Sequence, residues 1–459
     1  MYFHPPPQFN IVVLGILFLA GVLPGWVVAD HYWYGGTDNN WNTAANWSSS
    51  SSSYTPVTSA PVSGTTVRFL NTDSIMVNFS DSASGRIYID GDSQVEFASG
   101  SLKSGRIRVG GNATTVHPVW TISGGEISAD DGYTVGAATP ATWNITGGKI
   151  TTTFFFNLHA GASKTFDTAT VCNMSGGVVI APSGTHIGEC GYGIMNQTGG
   201  VFYGTGNAFI GSNGGNSENG NGYWNVGTEV AGKYTGTGEV YIAGDLHVGG
   251  AANSTRVGHL ALYSGLLSAR TIMVGAETGC DTVWKGGTLV NSRLEGNMTN
   301  EGSTIEMAND FSVTQAKIDS LADGETFFEK YQDGQIGTWT VTGTFAQTDG
   351  RLIFDIASDT HYDQLVADTL DISGGILEVQ LLEDYFPTQE TFYDLFSANT
   401  VTSLDLSLLV PGNAHQWSVT SDGRLHYQTA DQVPEPSSWI LLSGLFLWGM
   451  YCRWQRKKS

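Results

Sequence analysis

The sequence predicts an all-β protein in which a parallel β-helix, or β-solenoid, precedes a β-rich C-terminal domain. The first observation is composition: the 459 residues include 60 Gly, 41% hydrophobic residues and only 14% charged residues. This profile is typical of secreted β-rich proteins and not of disordered chains. The second is a pair of glycine-marked patterns that recur about every 25 residues. The third is an alternation of apolar and variable residues with the period of two that marks half-buried strands.

The predicted β-helix covers residues 61–310, where the two patterns interleave. In the first pattern, the residues one and three positions before a glycine are mostly apolar, at Gly110, Gly136, Gly161, Gly188, Gly211, Gly249 and Gly275. In the second, an apolar residue follows a glycine by two positions, at Leu102, Ile127, Ile150, Val179, Phe202, Val240, Leu267 and Leu289. Both patterns share one long gap, which indicates a loop insertion over Ser212–Gly222. Repeats of this length without a helical period predict stacked coils; a β-sandwich or a propeller is the alternative.

Residues 1–29 have the layout of a secretory signal peptide. They contain no Asp, Glu, Lys or Arg, and Ile11–Val28 is almost wholly apolar. Ala29 is the expected cleavage residue, so Asp30 would open the mature chain. The alternative is an uncleaved membrane helix, which Pro24 would interrupt.

Residues 30–60 form a Trp- and Ser-rich segment that we expect to cap the first coil. The side chains of Trp33, Trp41 and Trp47 would cover the strand edges that an open β-helix end exposes. The alternative is a carbohydrate-stacking face built from the same three residues. The serine run Ser48–Ser53 is predicted as a connector.

Residues 311–430 are predicted to form the β-rich C-terminal domain, because their alternating segments are longer. Strands are expected over Thr338–Thr342, Leu352–Ile356 and Ile376–Leu382. The segments 362–366, 370–379 and 392–398 resemble the C-terminal part of autotransporter-like passenger proteins. That resemblance implies a surface-displayed β-helix with a β-rich end domain.

Residues 431–459 carry three features in sequence. A proline-locked motif comes first, followed by an uncharged segment, 438–452, predicted as a short transmembrane helix. The prolines keep the motif extended, because they disfavour both helix and sheet. A basic end would hold the terminus in the cytoplasm by the positive-inside rule. The motif is Val433, Pro434, Glu435 and Pro436, and the basic cluster is Arg453, Arg456, Lys457 and Lys458.

The order of Pro434, Glu435 and Pro436, a short apolar helix and a basic end resembles the PEP-CTERM sorting signal. The resemblance implies an exported protein whose tail is processed near the motif by exosortase, a membrane-embedded cysteine protease-transpeptidase. It also implies transient anchoring in the inner membrane through the C-terminal helix, followed by delivery to the cell surface or extracellular matrix. A plain single-pass tail anchor is the alternative.

The chain is strongly acidic, with 20 Lys+Arg against 42 Asp+Glu. Cutting after Pro436 would remove the four tail cations and leave 16 − 42, or −26. Such a surface argues against nucleic acid and against anionic lipid as partners.

The cysteines and histidines indicate no cofactor and no metal site. The four cysteines are Cys172, Cys190, Cys280 and Cys452, without metal-ligand spacing. At most one internal disulfide is expected, and Cys172 and Cys190 are the nearest pair. Three histidines stand two residues before a glycine of the first pattern, a position predicted to face outward: His159, His186 and His247. The first two would lie on adjacent coils. We interpret this row as exposed polar residues, and a metal or proton-transfer ladder is the alternative.

No catalytic residue is predicted. Neither a nucleophile motif nor a phosphate loop is present, and Asp130-Asp131 has no cationic or His neighbour in register. We therefore expect a non-catalytic cell-envelope or matrix protein, with exopolysaccharide association or adhesion as its role. The alternative is a surface-displayed carbohydrate-active β-helix enzyme, a polysaccharide lyase or hydrolase. Such an enzyme should show convergent Asp, Arg or Lys residues in a groove along one face.

Overall fold

The computed structural model describes residues 30–35, 38, 40–70, 75–78, 82–111, 117–136, 138–158, 165–181, 184–211, 220–249, 256–276, 279–383, 385–412 and 416–429. These residues confirm the all-β prediction, because strands dominate and most of them join one large sheet. The predicted signal peptide and transmembrane helix lie outside the described ranges. Inside these ranges, no helix has the length and apolar character needed to cross a membrane.

The strands of the first half of the chain follow one another closely. Their bounds are β1 (His31–Trp33), β2 (Trp47–Ser48), β3 (Thr66–Leu70), β4 (Ile75–Asn78), β5 (Ser82–Asp90), β6 (Gln94–Ser99), β7 (Ser101–Val109), β8 (Val119–Ile122), β9 (Glu126–Ala129), β10 (Tyr133–Val135), β11 (Thr142–Ile145), β12 (Lys149–Thr152), β13 (Phe156–Leu158), β14 (Thr170–Ala181), β15 (Gly184–Ile187), β16 (Tyr192–Gly204), β17 (Asn207–Ile210) and β18 (Asn221–Val226).

The second half contains the remaining strands and two short helices. The helices are α1 (Gln315–Asp319) and α2 (Phe327–Tyr331). The strands are β19 (Thr228–Val230), β20 (Lys233–Thr235), β21 (Glu239–Val248), β22 (Val257–Leu262), β23 (Leu266–Val274), β24 (Asp281–Trp284), β25 (Thr288–Glu295), β26 (Met298–Glu306), β27 (Thr338–Ser358), β28 (His361–Tyr362), β29 (Gln364–Ile372), β30 (Ile376–Leu381), β31 (Thr391–Tyr393), β32 (Phe396–Leu404), β33 (Ser407–Leu409), β34 (Trp417–Val419) and β35 (Leu425–Tyr427).

Three ladders of parallel strands, named A, B and C, run through the large sheet. Ladder A passes through β4, β6, β8, β11, the first halves of β14 and β16, β18, β22 and β24. Ladder B passes through the first parts of β5 and β7, then β9, β12, the second halves of β14 and β16, and the first halves of β21, β23 and β25. Ladder C passes through β1, β3, β5, the second part of β7, β10, β13, β15, β17 and the second halves of β21, β23 and β25. The chain runs through ladders A, B and C in turn and then returns to ladder A, one strand spacing of about 4.8 Å further along the ladder. One such passage through the three ladders is called a coil.

Antiparallel pairs between the described strands are few. They join β1 to β2, β19 to β20, β27 to β28, and β35 to both β31 and β34. Sandwiches and propellers are built from antiparallel strands. The pairing of the described strands therefore does not match the sandwich or propeller alternative.

The second glycine pattern of the sequence corresponds to one inward column of ladder B. Its eight apolar residues are 0–2% exposed and pair in an unbroken register from coil to coil: Leu102, Ile127, Ile150, Val179, Phe202, Val240, Leu267 and Leu289. Full burial of one such side chain stabilises the fold by about 1.5–3 kcal/mol. The column therefore holds the coils in register while it fills the core.

Paired glycines make the corner between ladders A and B, as Gly147 and Gly148 illustrate. A Cβ atom on Gly147 would stand 2.3 Å from the carbonyl oxygen of Ser123 on the preceding coil. Gly148 has a φ of +76°, which L side chains rarely adopt. The glycine pairs that follow a Ser or Thr at this corner, such as Thr146-Gly147-Gly148, are therefore a steric requirement of coils that stack this closely.

The long gap in both patterns has two sources, which corrects the predicted single insertion over 212–222. Twelve residues separate Val226 from Glu239, whereas three separate the equivalent Gln197 and Val201 one coil earlier. Most of those extra residues form the hairpin of β19 and β20. Within the predicted insertion, Asn221 already begins β18. The remaining extra residues fall in 212–219, outside the described ranges.

The ladders continue across residue 310, where the sequence patterns divide the repeats from the C-terminal domain. Strands β25 and β26 pair in parallel with β27, which in turn pairs with β29 and β30. The expected strands Thr338–Thr342 and Leu352–Ile356 are two parts of the 21-residue β27. Ile376–Leu382 corresponds to β30.

Residues 307–337, named the strap, were not predicted to be helical. They carry α1 and α2, and a capping box between Thr326 and Glu329 starts α2. The strap covers outward-facing apolar residues of ladder B, because Val313 and Phe327 pack with Ile180, Tyr203 and Tyr241. The backbone N–H of Phe328 also donates to the hydroxyl of Tyr241 at 3.2 Å.

The three N-terminal tryptophans are buried at the start of the core. The side chains of Trp33, Trp41 and Trp47 are 4%, 0% and 0% exposed, and the Trp47 ring lies 6.0 Å from that of Phe69. The proposed carbohydrate-stacking face of these residues is therefore wrong, because a ligand cannot reach their rings. Their packing on Phe69 of β3 is that of residues closing one end of a core.

Candidate functional site

The predicted sorting and cleavage residues lie outside the described residues. These are Ala29, the motif Val433, Pro434, Glu435 and Pro436, and the cations Arg453, Arg456, Lys457 and Lys458. They stay predictions from sequence.

The predicted histidine row is wrong in register. Asn157, and not His159, pairs with His186 on the neighbouring coil, while Leu158 pairs with Ile187. His159 itself lies outside the described residues. His186 and His247 do share a column, but Phe209 lies between them, with ring centroids 4.9 and 4.7 Å from the two imidazoles. Burial lowers the pKa of both histidines, so neutral rings stack on Phe209.

Asp130 has a cationic neighbour that the sequence did not predict. Lys103 on the preceding coil places its Nζ 3.4 Å from Oδ2 of Asp130, and both side chains are more than half exposed. An exposed pair of this kind contributes little to stability. Of the described cysteines, Cys172 is a free thiol buried in the core, and Cys280 is a free thiol whose Sγ donates to the backbone carbonyl of Arg256 at 3.4 Å.

A column of four asparagines crosses the outer face of ladder A. From the second asparagine onward, the amide Nδ2 donates to the Oδ1 of the asparagine on the preceding coil, at 3.1, 3.1 and 2.9 Å. The residues are Asn144, Asn173, Asn196 and Asn225, in successive register. Identical amides stacked at the strand spacing satisfy one another, and each keeps a second N–H for other acceptors. We name this column the asparagine ladder.

The asparagine ladder ends where a groove of about 490 Å³ begins. On the next coil, Ala261 pairs with Asn225 and offers no side-chain donor to its Oδ1. The groove is lined, among others, by Asn196, Thr198, Asn225, Thr228, Glu229 and Tyr263. Its volume falls in the range of small-ligand sites, and its lining combines an aromatic ring with several polar groups that can donate and accept hydrogen bonds.

The hairpin of β19 and β20 forms the outer wall of the groove. Its turn residues Ala231 and Gly232 both have positive φ, the pattern of a tight two-residue hairpin loop. Glu229 stands directly opposite Tyr234, so both side chains project from the same face of the hairpin. The Tyr234 ring stacks on that of Tyr263 at 5.9 Å with an interplanar angle of 13°. This face of the hairpin is therefore the one that adjoins the groove.

An aromatic column runs beside the asparagine ladder on the same outer face. The Tyr223 ring stacks on the imidazole of His259 at 4.3 Å, and Phe166 meets Tyr223 edge-on at 5.3 Å. His259 Nδ1 contacts Oδ1 of Asp281 on the following coil. Tyr223 and Asn225 belong to one strand, two residues apart. Aromatic and amide groups thus share a continuous surface with the groove.

A carboxyl cluster lies where the strap rejoins the sheet. It comprises Glu306, Asp333, Asp355, Asp363 and Glu378, which come from β26, the strap, β27, the segment before β29, and β30. Asp363 accepts hydrogen bonds from the backbone N–H of Gly337 at 2.6 Å and of Asp355 at 2.8 Å. Glu378 is paired with Arg351. The cluster joins the end of the strap to the ladders.

Burial is the main reason why three carboxyl groups of this cluster have raised pKa values. It raises the pKa of Glu306 to about 7, that of Asp355 to about 6 and that of Asp363 to about 8, and repulsion between the carboxylates adds to each shift. In the described part of the chain, no group of three or more His, Cys, Asp or Glu residues has an arrangement that could hold a metal ion.

The groove was missed at the sequence level, although one signal was present. An asparagine recurs in the strand segments Trp143-Asn144, Cys172-Asn173, Met195-Asn196 and Trp224-Asn225. In each pair the asparagine follows an inward residue and therefore points outward. The hairpin wall depends on the residues of a single irregular coil, which no repeat pattern can reveal.

No family model matches the chain. A search of the curated proteins also finds no match.

The raised pKa of Glu306 predicts that stability falls as pH rises. Below about pH 4.5, its usual pKa, the carboxyl is neutral in both states and burial carries no charge penalty. The penalty grows between pH 4.5 and 7 and is complete above pH 7. We expect Glu306→Gln to raise the free energy of unfolding at pH 8 by on the order of 1–3 kcal/mol and to leave it unchanged at pH 4. Urea denaturation at both pH values measures this.

The exposed Glu383 supplies the control for this prediction. Glu383→Gln removes the same charge from the surface and should change the free energy of unfolding by less than about 0.5 kcal/mol at either pH. A loss of stability in Glu306→Gln at pH 8 would contradict the assignment of Glu306 to a destabilising buried cluster.

Proposed function

We propose that this protein is an exported, non-catalytic cell-envelope or extracellular-matrix protein that binds exopolysaccharide through the groove at the end of the asparagine ladder. The groove is the observation that carries the proposal. Its body would be a parallel β-helix that displays this face to the outside. A second part of the proposal concerns delivery of the body by its two terminal segments.

The β-helix assignment is supported by the order in which the chain visits the ladders. Each coil contributes to A, then B, then C, and the next coil pairs in parallel with it. The inward columns give the stack a continuous core, as expected of a solenoid. The outward columns are free to vary, so a ligand site can be built on one face without disturbing the stack.

Polysaccharide suits the chemistry of the groove. Sugar hydroxyls both donate and accept hydrogen bonds, and the amides of Asn196 and Asn225 can do the same. The Tyr263 ring offers an apolar face to sugar C–H groups. Because the asparagine ladder and the Tyr223–His259 stack extend from the groove across ladder A, a chain longer than one sugar can lie on this face.

Export and sorting are proposed from the two terminal segments of the sequence. The signal peptide would end at Ala29, and an exosortase-type transpeptidase would process the tail near Pro434, Glu435 and Pro436. The segment 438–452 would anchor the protein transiently in the inner membrane, with its basic end in the cytoplasm. The product would then reach the cell surface or matrix. The acidic charge of the body disfavours nucleic acid as a partner.

The composition of the groove favours a non-catalytic binding protein over the alternative, a polysaccharide lyase or hydrolase. Of its lining residues, only Glu229 is charged. Glycoside hydrolysis generally uses two carboxyl groups that flank the scissile bond. A single exposed carboxylate beside amides and a tyrosine suits binding better than bond cleavage.

Substitution of Tyr263 tests the groove. Tyr263→Ala should weaken binding of glucose, N-acetylglucosamine or glucosamine hexasaccharides by about 3- to 10-fold, because it removes the aromatic face. Tyr263→Phe retains that face and should bind nearly as the natural chain does. Titration calorimetry measures the affinities.

Tyr54 provides the matched control for this experiment, since it is an exposed tyrosine at the N-terminal end of the body. Tyr54→Ala should leave the affinities unchanged. If Tyr263→Ala binds every oligosaccharide as well as the natural chain does, the groove is not the polysaccharide site.

Alanine at Pro434, Glu435 and Pro436 tests the sorting signal in a host that has exosortase. We expect the natural chain to lose its tail and leave the membrane, and the triple variant to stay full-length in the membrane fraction. Immunoblots of membrane and released fractions measure this, with Pro411→Ala as a control outside the tail. Equal processing of the triple variant would contradict the sorting proposal.

A further inference from the structure

We propose that the groove selects polysaccharides that carry free amino groups, which are cationic at neutral pH. This inference rests on the proposed polysaccharide-binding function and names the class of ligand for the same groove. It depends on where charges and aromatic rings lie around the hairpin of β19 and β20.

Glu229 is the charged group at the groove. Its side chain is exposed and lines the cavity. Within the described part of the chain, no Lys, Arg or His nitrogen lies within ion-pair distance of its carboxylate. A ligand ammonium group can therefore form a charge-assisted hydrogen bond with it without displacing a protein cation.

The aromatic rings beside Glu229 suit the same ligand charge. Tyr234 shares the hairpin face of Glu229 and stacks on Tyr263, which lines the groove. Tyrosine faces attract cations through their ring quadrupole. A carboxylate next to aromatic faces is an arrangement that recognises ammonium groups, whereas an N-acetyl group would lack the charge to which both respond.

Two lysines in this part of the fold are directed away from Glu229 or paired with another carboxylate. Lys233 stands opposite Val230 in the hairpin, so its side chain projects from the face opposite to that of Glu229. Lys285 of the neighbouring coil has its Nζ 3.9 Å from Oε2 of Glu301. The whole chain has a formal net charge of −22. Polyuronates and other anionic polymers would therefore be repelled from the groove.

The test compares three oligosaccharide hexamers with the full chain, purified in detergent, at pH 6 and low salt. The hexamers are built from glucosamine, N-acetylglucosamine and galacturonic acid. We expect glucosamine to bind about tenfold more tightly than N-acetylglucosamine, and galacturonate to bind most weakly. Glu229→Gln should bring the glucosamine preference close to one. Glu383→Gln, the matched loss of one exposed carboxylate outside the groove, should keep the preference.

The outcomes separate this inference from the proposed function. Equal or tighter binding of N-acetylglucosamine, or a preference that persists in Glu229→Gln, would overturn amine selection. Polysaccharide binding would stand in either case, provided that Tyr263→Ala weakens it. A failure of all three hexamers to bind the natural chain would overturn the inference and would count against the proposed function as well.

Discussion

The structure depends on parallel, in-register pairing of each coil with the next. Ladder hydrogen bonds fix the spacing, and inward columns such as the one from Leu102 to Leu289 fix the register. A slip of one residue would turn every apolar side chain outward. Because register is held so firmly from the inside, each outward position lies directly beside its equivalent on the next coil. Outward residues of one type then become a continuous surface feature.

That constraint explains why the outer features of the protein are columns. Four asparagines in one register become a hydrogen-bonded ladder. His186, Phe209 and His247 become a ring stack by the same geometry. Both features form between equivalent residues of successive coils, so the pairing of neighbouring coils is enough to build them.

Two departures from the repeat give the faces different roles. The hairpin of β19 and β20 replaces a short corner and builds one wall beside the end of the asparagine ladder. The strap leaves the stack after β26, covers the apolar outer face of ladder B and rejoins at β27. Ladder A thus keeps an open face with a groove, whereas part of ladder B is shielded.

Sequence patterns were reliable where the repeat is regular and failed where it is broken. The eight apolar residues of the second pattern all share one buried column, because their spacing follows directly from coil stacking. The first pattern failed at Gly161. Leu158 pairs with Ile187, the residue directly before Gly188, so Gly161 lies two residues beyond the position that is equivalent to Gly188. The strap was missed because its helices have only five residues each, too short to show a helical period.

The groove itself could not be predicted for a related reason. Asn225 lies in a regular column and could have been found from its three repeats. Glu229 and Tyr234 lie in a hairpin that occurs once, and their common face becomes evident only from the antiparallel register. The carboxyl cluster is similar, because Glu306 and Asp363 are brought together by the return of the strap to the ladders.

Hydrogen–deuterium exchange of the full chain with and without glucosamine hexasaccharide tests the central claim most directly. If the open face of ladder A binds polysaccharide, amides of the hairpin Thr228–Thr235 and of β18 should exchange more slowly in the complex, while the strap should be unchanged. Slower exchange confined to the strap or to the C-terminal strands, with the hairpin unaffected, would contradict the account.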